Sequence, residues 1–171
     1  MTNKEQAYEI IKILVDKFEQ GIATYKNNNY NETETRNEFI DPFWKALGWD
    51  LENKAKLSPV YKEVLVEKMQ KTSSRYKKPD YEFRNSKTGA TFFYLEAKKP
   101  FVNLQSDVSP AVQARSYGYQ NSKVNISVLS DFEEFVVYNC RKKPRRNDTA
   151  KTARLEYISY KDYLNRFDFI W

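Results

Sequence analysis

Apolar residues near the start of the chain recur three and four apart: Ala7, Ile10, Ile11, Leu14, Val15, Phe18 and Ile22. That spacing predicts an amphipathic helix from about Asn3 to Tyr25, with Thr2 and Glu5 at capping-box distance at its start. The polar stretch Lys26 to Asn31 reads as a loop. A second helical pattern carries Phe39, Ile40, Phe43, Trp44 and Leu47 and stops at Gly48. Pro42 interrupts it. Either the proline kinks the helix, or Asp41 caps a new one with Pro42 as its first residue.

The period then changes from helical to alternating. Tyr61 to Met69, with Val64, Leu65 and Val66, reads as a strand, and Tyr81 and Phe83 alternating with Asp80, Glu82 and Arg84 read as another. After the turn-rich Asn85 to Gly89, the segment Thr91 to Ala97 has strong β propensity. Ser109-Pro110 suits an N-cap and first helical residue, opening a helix through Ala111, Val112, Ala114 and Tyr117. Val124 to Leu129 and Phe135 to Cys140 read as two more strands around a turn at Asp131 to Glu134. Helix, three strands, helix and further strands predict an α/β (mixed α+β) domain, with a central mixed sheet flanked by helices.

The length of 171 residues fits one domain, 1–171, rather than two. Apolar residues make up 40% and aromatics 16%, which indicates a folded core. No apolar run is long enough to cross a bilayer. The first residues lack a signal-peptide pattern, which points to the cytoplasm. There is no histidine and a single cysteine, Cys140. Histidine-dependent hydrolysis, disulfides and structural zinc sites are therefore excluded, and catalysis falls to carboxylates, lysines, tyrosines or a bound ion. The net charge of +6 favours a polyanionic partner without specifying one.

Chemistry concentrates at Pro79-Asp80 and Glu96-Ala97-Lys98. Residues two apart on a strand share a face, so Glu96 and Lys98 project together. A hairpin centred near Thr88 would set Asp80 directly across from Glu96. Two opposed carboxylates repel, and a divalent cation removes the conflict. Asp80, Glu96 and a nearby backbone carbonyl suit magnesium, with manganese as a substitute. Lys98 could then orient water and stabilise charge on phosphate.

Pro79-Asp80, a spacer and Glu96-Ala97-Lys98 resemble the motif of the PD-(D/E)XK nuclease superfamily, and the element order resembles its restriction-endonuclease-like αβββαβ core. Glu38 lies in the preceding helix, where that family often carries an acid near the metal. Gln113 and Tyr117 share a helix face and resemble the Gln-x-x-x-Tyr motif of its RecB-like branch. The segments from Glu32 to Phe43, Phe93 to Pro100 and Leu129 to Phe135 are similar to N-terminal nuclease domains of type IIG, and some type I, restriction-modification enzymes.

The resemblance implies a magnesium-dependent endonuclease acting on double-stranded DNA, the N-terminal part of a larger polypeptide. Methyltransferase and target-recognition domains would lie on the same or an associated chain, and two copies would pair transiently on DNA. Asp80, Glu96 and the Ala97 carbonyl would hold the ion, Glu38 would support it, and Gln113 and Tyr117 would position water, lysine or DNA. Arg141, Lys142, Lys143, Arg145 and Arg146 are candidates for contact with the DNA backbone.

Structural readings stand beside these. Asp80 could be a turn residue and Glu96 with Lys98 an exposed pair; Thr35 and Glu38 fit a capping box; Gln113 and Tyr117 could be a polar helix edge; Glu63 and Glu67 could be a solvated strand face. The rival functions are a catalytically idle DNA-binding module of the same fold and a RecB-like exonuclease or junction resolvase.

Overall fold

A computed structural model describes residues 3–67 and 78–171. The first helix, α1 (Lys4–Gln20), starts at Asn3, not Thr2: Asn3 accepts from the Gln6 amide at 2.8 Å and Gln6 reciprocates. Thr2 lies outside the described residues. The helix breaks at Gly21, and the short α2 (Ile22–Tyr25) follows. A second helical run begins at α3 (Glu32–Thr35), capped by Asn31 and Glu34 rather than by Thr35 and Glu38. It widens into a π-helical turn at Arg36–Ile40 and continues as α4 (Asp41–Ala46).

The wide turn answers the problem set by Pro42. In an ordinary helix the proline ring would press on the carbonyl four residues back. Here the Asp41 N–H donates to the Arg36 carbonyl, five residues back, and the helix passes the proline without ending. Asp41 has helical dihedrals and makes no side-chain cap.

Six strands form one sheet in chain order: β1 (Val64–Val66), β2 (Tyr81–Arg84), β3 (Thr91–Ala97), β4 (Ile126–Ser130), β5 (Glu134–Asn139) and β6 (Arg154–Ser159). All neighbours are antiparallel except β3 and β4, which α5 (Val108–Gln120) connects. This is the expected helix-flanked mixed sheet. Residues 68 and 69 of the strand predicted over Tyr61 to Met69 lie outside the described residues. The N-cap position of α5 is Asp107, so Ser109 stands inside the helix. β6 went unforeseen, because Arg154–Ser159 follows a long polar stretch and alternates weakly. Past it a 3-10 turn (Tyr160–Asp162) leads to α6 (Phe167–Ile170), whose Phe167 packs edge-on against Tyr8 of α1.

The sheet sorts its side chains by parity. Tyr81, Phe83, Leu95, Val128, Phe135 and Val137 face a core built with Ile11, Leu14, Phe18, Phe39, Phe43 and Trp44. Leu129, Val136 and Tyr138 face the other way, against Ala111 and Ala114 of α5. The helix lies close to the sheet at Gly118, where a Cβ would meet the Cys140 sulfur at 2.5 Å. Glu96 falls between Leu95 and Ala97, and so points to the α5 side.

Candidate active site

The β2–β3 hairpin places the first two site residues. The pairs Phe83 with Phe93 and Tyr81 with Leu95 extend in the same register to Asp80 opposite Glu96. Its one irregularity lies at Phe83–Arg84, on the turn side, and leaves that end of the hairpin in step. Gly89 closes the turn with φ of 72° and its amide on the Asn85 carbonyl. A single bond ties the two strands at the site: the Ala97 N–H donates to Asp80 Oδ2 at 2.8 Å.

Glu96 is 3% exposed. Its Oε1 accepts from the Lys98 ammonium and from Gln113 Nε2, the latter at 2.5 Å. Gln113 also donates to the Tyr117 hydroxyl at 2.9 Å, as expected for residues four apart on α5. The other oxygen, Glu96 Oε2, is buried and accepts no hydrogen bond from the described residues. Burial, with Asp80 alongside, pushes the Glu96 carboxyl up to about 7 against the pull of Lys98. Burial likewise holds the Tyr117 phenol up at about 12, with Glu96 adding to the rise.

Lys98 also donates to the Ala97 carbonyl at 3.0 Å and lies 3.8 Å from a carboxylate oxygen of Glu32. Glu32 is the acid that the second helical run brings to the cluster, and burial pushes its carboxyl up against the attraction of Lys98. Glu38, the acid expected there, instead accepts from Lys17 at 2.8 Å and acts on Tyr30. The reason is phase. Glu32 stands at the very start of the run, and Glu38 follows six residues later, more than one helical turn on and inside the wide turn. Glu63 accepts from the Asp50 amide at 3.1 Å.

The basic stretch is not brought to the cluster. Asn139, from which it departs, pairs with Ile126, whose partner on β3 is Phe93. Phe93 is three residues, roughly 10 Å, from Glu96, and β5 leaves the sheet heading away from it. Arg141, Lys142, Lys143, Arg145 and Arg146 are all exposed there. The loop is tied to α5 by fully buried Arg115, which donates to Asp148 at 2.8 Å and to the Lys142 carbonyl at 3.2 Å.

The resulting donor set consists of hard oxygens: Asp80, Glu96 with its unpartnered Oε2, the Ala97 carbonyl and Glu32. Among the described residues no group of three or more histidines, cysteines, aspartates or glutamates is placed to hold a metal ion, and no helix is long and apolar enough to cross a membrane.

Over 170 residues the chain is 37% identical to the type II restriction enzyme and methyltransferase RM.Eco57I of Escherichia coli. The alignment takes in 98% of this chain and 16% of that protein, so the chain spans about a sixth of the curated relative it matches. An identity of that size, running nearly end to end, supports a relationship to restriction-modification enzymes. No family model matches the chain. No solved structure matches it.

Proposed function

We propose that the chain is the DNA-cleaving part of a restriction-modification enzyme, a divalent-metal-dependent phosphodiesterase of the PD-(D/E)XK type acting on duplex DNA. The observation that carries this reading is the buried Glu96 Oε2. It has no donor among the described residues, next to a second carboxylate across the hairpin and on the same side as Lys98. A buried oxygen of that kind is costly unless something satisfies it. The residues fit magnesium or manganese: Asp80 and Glu96 would hold the ion, with the Ala97 carbonyl in reach and Glu32 beside it. Two carboxylates without a full protein cage suit magnesium, which retains waters and takes substrate phosphate as a ligand.

When bound, the ion would supply Lewis acidity at a phosphate oxygen and at the attacking water. The chain's own residues do the rest. Lys98 presents its ammonium beside Glu96, where its hydrogens orient a water and offset charge gathering on the phosphate oxygens. Gln113 fixes the Glu96 rotamer and Tyr117 fixes Gln113, so the carboxylate is aimed before substrate arrives. A methyltransferase part, as in the name of the relative, together with a target-recognition part would select the site. Paired cuts would need two copies on the DNA.

Supercoiled plasmid incubated with magnesium tests the reading. The parent should nick or linearise it, and Lys98→Ala and Glu96→Ala should not. Equal nicking by all three would show that the cluster is not the source of cleavage. If the parent leaves the plasmid intact, manganese binding is the deciding measurement, and unchanged affinity in Asp80→Ala would sink the ligand set.

A further inference from the structure

We infer that Arg36 is the positioning residue of this site, an arginine fork that fixes the Asp80 carboxylate for ion binding. The inference rests on the metal-dependent reading above. Arg36 is 7% exposed and spends its guanidinium on three different acceptors. Nη1 donates to Asp80 Oδ1 at 3.3 Å, Nε to the Tyr81 hydroxyl at 3.0 Å and Nη2 to the Glu67 carbonyl at 3.2 Å. The guanidinium carbon also lies 4.7 Å from the centroid of the Tyr81 ring. The Tyr81 hydroxyl in turn donates to Asp41 Oδ1 at 2.5 Å. Since the Ala97 amide holds Asp80 Oδ2, both oxygens of Asp80 are gripped, one by backbone and one by the fork.

The wide helical turn makes this possible. In an ordinary α-helix, residues five apart point about 140° away from each other. Arg36 and Asp41 bracket the π turn, whose wider winding brings positions five apart closer in direction than an α-helix does. Both therefore reach the same phenol. Pro42 favours the wide turn, the turn aligns Arg36 with Asp41, and Tyr81 passes that alignment to its neighbour Asp80.

A bare countercharge and a positioning fork predict opposite results. Arg36 as a competing cation would weaken ion binding, and its removal would tighten it. Arg36 as the holder of Asp80 strengthens ion binding, and its removal loosens the ligand. The test is manganese binding to the purified protein without DNA, read from the free-ion resonance signal, with folding checked by circular dichroism. Arg36→Gln and Arg36→Lys should each lower affinity about tenfold or more. Lysine should fail to rescue, because it keeps the charge but not the fork. Tyr81→Phe, which retains the packing and loses the hydroxyl, should shift affinity the same way by less.

Unchanged or tighter binding in folded Arg36→Gln overturns the inference. If the Arg36 variants do not fold, Tyr81→Phe decides, and parental affinity there overturns it equally. A parent that binds no manganese overturns the metal reading and this inference with it. A parent that binds, with variants that bind as well, overturns only the role of Arg36.

Discussion

Two buried carboxyls stand at the same end of the sheet, one on β3 and one in the turn that follows its neighbour β4, and each has an oxygen without a hydrogen bond among the described residues: Glu96 Oε2 and Asp131 Oδ2. Burial pushes both carboxyls up. Their surroundings differ in kind. Glu96 is met by side chains that carry charge or can turn, namely Lys98, Gln113, Glu32 and Asp80 across the hairpin. Asp131 is met by backbone. Its Oδ1 accepts from the Glu134 amide at 2.7 Å. The next residue, Phe132, takes φ of 72° with its carbonyl held by the Tyr163 hydroxyl at 2.7 Å. The charges that act most strongly on Asp131 are the like charges of Glu134 and Glu133. An unpartnered buried oxygen is therefore ambiguous by itself. Beside Lys98 and Asp80 it belongs to the ion site we propose; inside the β4–β5 turn, among like charges and backbone, burial pushes the acid toward its neutral form.

The largest expected effect breaks the first region alone. Lys98→Ala should reduce DNA cleavage by at least about a hundredfold while the protein still unfolds in one cooperative transition. Plasmid nicking and thermal melting together check this, and a variant that cleaves like the parent would remove the chemical half of the comparison. Glu134→Ala should do the reverse. Glu134 accepts from the Leu104 and Gln105 amides at 2.6 and 3.1 Å and from the Tyr157 hydroxyl at 2.6 Å. Stranding those donors should lower stability by about 2–4 kcal/mol, read by urea denaturation. Parental stability would mean that this turn does not hold the β3–α5 connection.

The acidic partner of the site offers a finer division. Glu32→Gln should lower cleavage about tenfold, as loss of a supporting group at a metal site does, and Glu38→Gln should leave it unchanged. Side-by-side cleavage rates settle the pair, and the reverse order would restore Glu38. This contrast also shows what was legible in the sequence. The first five strands, the Gln113–Tyr117 face and, with a turn centred near Thr88, the Asp80–Glu96 register followed from the sequence pattern, because each depends on residues near in the chain or mirrored about a short turn. Glu32, Arg36 and Asp41 did not follow. Their placement depends on the wide turn, and the visible signal, Pro42 inside a helical pattern, also fits a kink or a new cap. The basic stretch was legible as charge, but its position depends on the direction in which β5 leaves the sheet. That direction is a property of the sheet pairing and not of the stretch itself.

The smallest effect concerns pH, and Asp131→Asn isolates it. The folded-state pKa of Asp131 is raised above its ordinary value. Below about pH 4 the group is protonated in both the folded and unfolded chain and contributes no slope. Above that, the unfolded chain releases the proton while the folded chain keeps it, so the folded state binds more protons and stability falls as pH rises. That fall continues until the folded group ionises as well. Asparagine stays neutral throughout, and its carbonyl can still accept from the Glu134 amide. Within the window each pH unit should cost the parent at most about 1.4 kcal/mol relative to the variant, or about 3–6 °C in melting temperature for a chain of this size. The melting temperature of Asp131→Asn should therefore gain on that of the parent as pH rises from about 4. Acids remote from Asp131 titrate alike in both proteins, so the difference between the two curves reports Asp131 together with the two carboxylates that act on it, Glu134 and Glu133. Parallel curves would mean that Asp131 is ionised in the fold, and that the two ends of the comparison are the same kind of carboxylate.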